Sequence, residues 1–151
     1  MATYTDTLGF NKGTAAFPAN VYAVSKIQVE LDFAAIVAAR SAAGATALAA
    51  ADILQVIALP AKAVVLAAGL DVTTAETSAV TATFDLGYTG GSPAAANVYS
   101  NDCVSNAVAF DSDNLANPTV ITAADTIDLL LNAAVPTDCV MTAWAIVANC
   151  G

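Results

Sequence analysis

The sequence predicts a mainly β protein: an antiparallel β-sandwich of jelly-roll type, with one short helix and an extended N-terminal arm. Three observations carry this expectation. Apolar and polar residues alternate with a period of two in several segments, as in strands with one wet face. Only one segment, following Asp32, reads as a helix. Finally, 58% of the 151 residues are hydrophobic and 11% are charged, against about 25% charged in an ordinary soluble domain. Much uncharged surface therefore has to be buried, within the chain or between chains.

Residues 1–20 show no period. Tyr4, Leu8, Phe10 and Phe17 stand isolated among small and polar neighbours. This stretch reads as an arm whose large side chains need a seat, either on its own domain or on a neighbouring subunit. These four are the candidate partner-binding residues. On that reading, removing the arm leaves the sandwich folded and weakens attachment. Residues 21–151 form a single sandwich domain, with no linker and no second hydrophobic block.

In the domain, Ile27, Val29, Leu31 and Phe33 alternate with Lys26, Gln28, Glu30 and Asp32, which predicts a half-buried strand. Asp32 can cap a helix running through Ala34 to Arg40, with Gly44 as a left-handed stop and Arg40 suited to the negative end of the dipole. Ile53 to Leu59 is apolar on both faces and so predicted central. Pro60-Ala61-Lys62 interrupts it, because proline cannot donate to a ladder. A strand from Ala63 to about Thr74 is expected to place Val64, Leu66, Ala68, Leu70 and Val72 on one face. Next, Val80, Ala82, Phe84 and Leu86 alternate with Thr81, Thr83 and Asp85, before a turn-rich break at 87–93.

Residues 94–120 are the least regular. A short strand is expected at Asn97-Val98-Tyr99, then a long loop marked by Asn101, Asp102, Asn106, Asp111, Asp113, Asn114 and Asn117-Pro118. Two strands close the chain. In one, Ile127, Leu129 and Leu131 lie opposite Asp128, Leu130 and Asn132. The other runs from Cys139 to Ala148, with Trp144 and Ile146 on one face and Met141 and Val147 on the other. Trp144, between alanines, is expected in the core.

The charge balance narrows the function. There is no histidine, and four cations (Lys12, Lys26, Arg40, Lys62) face thirteen carboxylates, for a net charge of -9. Such a chain lacks the basic stripe needed to release counterions from nucleic acid, so no nucleic-acid partner is expected. No apolar run reaches the about 18 residues of a spanning helix, and the polar start Met1-Ala2-Thr3-Tyr4-Thr5-Asp6 is unlike a signal peptide. We therefore expect a soluble protein with no membrane partner.

Catalytic and metal patterns fail one by one. Asp111-Ser112-Asp113-Asn114 resembles the start of a calcium loop. However, Leu115, Ala116 and Thr122 occupy the positions where an EF-hand needs an oxygen ligand, glycine and glutamate. Asp125 and Asp128, three apart on a strand, point to opposite faces and cannot act as an acid pair. Asp125 is expected in a turn and Asp128 on the wet face. Gly87-Tyr88-Thr89-Gly90-Gly91 matches neither phosphate-binding spacing, and a nucleophile would lack a histidine base. Cys139 and Cys150 flank one strand and would lie about 36 Å apart at about 3.3 Å per residue, too far for a disulfide. Cys103 could pair with either, though the odd count favours thiols. No catalytic residue, metal or cofactor is assigned. Tyr88, Tyr99 and Trp144 could form a sugar-stacking platform.

At Ala51-Asp52-Ile53-Leu54-Gln55-Val56-Ile57-Ala58-Leu59-Pro60-Ala61, with Leu70-Asp71-Val72-Thr73-Thr74-Ala75-Glu76, Ala124-Asp125-Thr126-Ile127-Asp128-Leu129 and Ala143-Trp144-Ala145, the chain resembles small structural proteins of tailed bacteriophages. These are capsid decoration, or cement, proteins and related virion proteins. The resemblance covers residues 20 to 150. It implies a non-enzymatic β-sandwich or jelly-roll protein, assembled in the host cytoplasm and seated on the outer surface of an icosahedral head. Its partners there would be the major capsid protein and further copies of itself, as a trimer. The alternative reading is a phage fibre, tail or neck component, or a carbohydrate- or receptor-binding β-sandwich module.

Overall fold

Two sheets packed face to face carry the chain, as seen in a computed structural model that describes residues 1–15, 17, 23–88, 95–112 and 118–149. The elements are β1 (Thr3–Tyr4), β2 (Gly13–Thr14), β3 (Val24–Asp32), α1 (Phe33–Ala42), β4 (Ile53–Leu59), β5 (Ala63–Thr74), β6 (Thr83–Tyr88), β7 (Ala95–Val104), β8 (Ala109–Asp111), β9 (Thr119–Val120), β10 (Asp125–Asn132) and β11 (Val140–Asn149). The first sheet runs β1-β4-β10-β6-β7, with β2 also on β4. The second runs β3-β11-β5-β8, with β9 also on β5. The pairings within the body are antiparallel, as expected, whereas β1 and β2 lie parallel to β4.

One continuous core joins the inner faces. Val29 and Leu31 of β3, Phe84 and Leu86 of β6, Ile127, Leu129 and Leu131 of β10, and Met141, Ala143, Ala145 and Val147 of β11 are all buried in it. Each large side chain removed from water contributes about 1.5–3 kcal/mol, and Phe33 locks against Phe84 with ring centroids 5.5 Å apart. Helix α1 forms for the reasons anticipated. Asp32 accepts the Ala35 N–H at 3.1 Å, Phe33, Ile36 and Arg40 face inward, and Gly44 takes a left-handed φ of 63°.

The structure differs from the sequence reading at five places. In β5 the alternation changes phase, because Ile146 and Val147 of β11 pair with Ala67 and Val65, leaving Leu66 as a bulge. Ala63 and Val65 therefore point inward with Ala68, Leu70 and Val72, while Val64 and Leu66 do not. Strand β6 continues through Gly87 and Tyr88, so the break expected at 87 starts later; residues 89–94 lie outside the described chain. Strand β7 is a ten-residue strand rather than a short one in a long loop. It absorbs Asn101 and Asp102 at irregular pairings with β6, where Asp102 takes a φ of 56° and donates its N–H to Asp85 at 2.9 Å. Asp85 and Asp128, expected on wet faces, are buried. Asp128 sits in β10, flanked by β4 and β6, and accepts the Thr126 hydroxyl at 2.5 Å. Trp144, expected in the core, lies on the outer face of the second sheet and is covered there.

The arm is part of the sandwich. Gly9 has a φ of 85°, and a Cβ on it would fall 2.4 Å from the Ile36 Cα. A Cβ on Gly13 would fall 2.7 Å from Val29 and 2.8 Å from Ile27 side-chain carbons. The arm thus passes close against α1 and lies over the seam where β3 meets β4. Gly9→Ala is expected to lower the unfolding free energy by about 3 kcal/mol or more, from left-handed strain plus overpacking. Gly44→Ala, with nothing within 4 Å, should lose only the backbone component of about 1–2 kcal/mol. Urea denaturation of the two variants compares them directly.

Candidate assembly surfaces

The four arm residues singled out in the sequence all find seats on their own sandwich. Phe10 is a core residue, 8% exposed, and Tyr4 and Phe17 pack against the core while only partly buried. Leu8 is half-buried. Two charged residues hold the arm down. Asp52 accepts the N–H groups of Ala2 at 2.7 Å and Ala49 at 2.9 Å, and Ala2 in turn accepts from the Ile53 N–H at 2.8 Å. Burial pushes the Asp52 carboxyl up, but these donors outweigh it and hold the group below the usual carboxylate range. Arg40, 3% exposed, forms an ion pair with Asp6 at 2.8 Å, donates to the Thr46 carbonyl at 2.9 Å and lies 4.0 Å from the centroid of the Tyr4 ring. Because Phe10 fills core volume, removing the arm costs stability as well as any contact it makes.

A second pin lies near α1, where Thr137 lines one cavity together with Arg40. Glu76 is buried and accepts from the Thr137 N–H at 2.7 Å, the Thr137 hydroxyl at 2.6 Å and the Asp138 N–H at 3.1 Å. Asp138 returns the tie by accepting from the N–H of Thr77 at 2.9 Å and from its hydroxyl. The loop before β11 is thereby fastened to the segment after β5. Burial raises the Glu76 pKa, yet hydrogen bonds from Ser78, Thr137 and Asp138 overcome it and keep the carboxylate ionised into strong acid.

The remaining chemical candidates do not converge. Asp111 accepts the Ser100 hydroxyl at 2.5 Å and so ties β8 to β7; Asp113 and Asn114 lie outside the described residues. Asp125, expected in a turn, instead opens β10 opposite Leu59 and accepts the N–H of Thr126 at 2.8 Å. Neither Cys103 nor Cys139 is in a disulfide and both are buried; Cys150 lies outside the described chain. Burial, with Glu76, Cys103 and Asp138 nearby, pushes the Cys139 thiol up to about 12, so it stays protonated and a poor nucleophile. Tyr88 and Tyr99 are buried against each other, with ring centroids 6.1 Å apart. The three-aromatic sugar platform is therefore not assembled.

What the sequence did not reveal is the outer face of the second sheet. Phe110, 66% exposed, stacks on Trp144 with centroids 5.6 Å apart and planes 13° from parallel. Gly69 permits the close approach, since a Cβ there would fall 2.9 Å from Trp144 Cζ2. The pair borders a shallow depression of about 280 Å³, completed by Lys26, Gln28, Asp71 and Ile146. Val24 and Val120 on the same sheet are also exposed, and these side chains have no cover within the described chain. Phe110, Val108 and Val120 fall in the aperiodic stretch 94–120, where no alternation could have assigned them a face.

No family model matches the sequence, and no curated protein matches it. The fold, however, is shared with chains in three phage capsid structures. In a structure described as the cyanophage Pam1 capsid asymmetric unit, the matched chain superimposes with a TM-score of 0.57 at 18% identity, over 89% of this chain and 92% of that one. In the acid-stable capsid of Helicobacter pylori bacteriophage KHP30 the TM-score is 0.54 at 13% identity, over 87% and 90%. In the capsid of Ralstonia phage GP4 it is 0.53 at 13% identity, over 97% and 96%. What is shared is the fold, over 87% to 97% of this chain.

Glu76→Gln is expected to lower stability at neutral pH by about 1–3 kcal/mol, because a buried acceptor of several donors is weakened. Since its folded pKa is depressed, the native Glu76 contribution is complete above the ordinary carboxylate pKa of about 4.3 and is lost only as pH falls towards the folded value. Chemical denaturation between neutral and strongly acidic pH should show a shallower acid dependence for the variant than for the native chain.

Proposed function

We propose that this chain is a capsid decoration, or cement, protein that binds the outer surface of a phage head and ties neighbouring major capsid subunits together. The observation that carries the reading is the near full-length match to chains in three phage capsid structures. The matched chains are about as long as this one, because each alignment covers almost equal shares of both partners. A small sandwich repeated over a particle suits a part added to a shell. The composition supports the same reading. Interfaces depleted of charge at their centres cost less to desolvate, and weak contacts repeated over many copies add up through multivalency.

On this reading the chain does no chemistry, the copies associate as trimers, and the particle is completed in the host cytoplasm. The arm contributes through the surfaces that its internal seat leaves open, those of Tyr4, Leu8 and Phe17, while Phe10 serves the fold. An electron-microscopy map of the source particle is expected to show this chain in many copies over the outside of the head, clustered in threes. A few copies confined to the tail, or none in a virion, would overturn it. Deleting residues 1–18 is expected to reduce both head attachment and stability, since losing a buried phenylalanine alone costs about 3–5 kcal/mol. Pelleting with heads and urea denaturation read the two effects separately.

A further inference from the structure

The outer face of the second sheet can be laid out from its register. Trp144 pairs with Gln28 on one side and Gly69 on the other, which defines a central row across three strands. One row towards one end holds Glu30, Thr142, Asp71 and Phe110; one row towards the other holds Lys26, Ile146 and Ala67. Beyond Ile146 comes an apolar row, Val24, Ala148, Val64 and Val120. Along β3 the outward side chains therefore read cation, amide, anion: Lys26, Gln28, Glu30. Strands β8 and β9 flank the same edge of β5 at its two ends, so the exposed Phe110 and the exposed Val120 stand at opposite ends of one border.

We propose that this face packs against the same face of a second copy of the chain, about a twofold axis that crosses the strands at the Gln28–Trp144–Gly69 row. Along β3 and along the β8–β9 border the pattern is its own complement under that operation, while Asp71 falls opposite Ala67. The axis reverses the strand direction, so Lys26 of each copy meets Glu30 of the other, and the two Gln28 amides meet at the centre. Along the border, the Phe110 end of one copy meets the Val120 end of the other, and the aromatic pairs approach each other near the axis. The other face-to-face arrangement, with the axis along the strands, would bring Glu30 towards Asp71 of the second copy, like charges placed together on desolvation. The contact has an aromatic centre and a charged border, as specific interfaces do. It is a contact between copies and stands independently of the shell-binding reading. A threefold association through other surfaces would combine with it to give six.

Analytical ultracentrifugation of the full chain tests this, with the charge-reversed variants Lys26→Glu and Glu30→Lys and the double variant carrying both. Both changes are on exposed, outward positions of β3, and circular dichroism checks that each of the three variants is folded. The native mass is expected to be an even multiple of the chain. Each single variant should halve it, through two like-charge contacts per pair, and the double variant should restore it. A native mass corresponding to one or three chains overturns the proposal. So do single variants of unchanged mass, or a double variant that remains halved.

Discussion

Strand β4 has buried side chains on both faces, and among the described residues of the sandwich body it has only β10 as a ladder neighbour. Its other edge would be a row of bare backbone donors and acceptors, open to pairing with any passing strand. The arm occupies that edge, with β1 along its start and β2 along its end, and the rest of the molecule is arranged to keep it there. Helix α1 offers its backbone to Gly9 and its buried Arg40 to Asp6 and Tyr4. Asp52, just ahead of β4, takes the N–H of Ala2. Phe10 closes the core beneath. Both arm strands run in the direction of β4, with a turn at Thr7–Phe10 between them.

Scarcity of charge makes the placement of each charge informative. Among the described residues four carboxylates, Asp52, Glu76, Asp85 and Asp128, and the guanidinium of Arg40 are buried. The partners that can be named are mostly backbone N–H groups and hydroxyls rather than opposite charges. Such bonds satisfy an ionised carboxylate without the desolvation of a second ion. They fasten irregular segments: the arm through Asp52, the loop before β11 through Glu76, and the irregular middle of β7 through Asp85. The acidic residues spent this way are absent from the surface, which is left less charged than the net value suggests.

That surface includes the outer face of the second sheet, where Phe110 stacks on Trp144. Its aromatic pair lies on a sheet rather than in a cleft. The residues that border it are a cation, an amide and an anion, which can steer a partner's orientation without acid or base chemistry. The capsid chains that share the fold differ from this one at more than four positions in five. What they retain is a frame of two sheets, and the contacts any such chain makes are set by what its outer faces carry.

Period-two alternation and a single capped helix were enough to determine the sandwich, the ends of β4 and β5, and the position of α1. These depend on neighbours in sequence and on where apolar residues recur. Tertiary structure decided the rest. The bulge at Leu66 reversed the faces of half of β5, because ladder pairing with β11, not local preference, sets the phase. Asp85 and Asp128 went inward because strands and polar partners close around them, which alternation within one strand cannot register. Phe110 and Val120 acquired a face only when β8 and β9 docked on β5, and Trp144 became part of that face rather than of the core. The arm shows the division most clearly: its large apolar residues announced that it must be buried, but only the open edge of β4, assembled from distant segments, determined where.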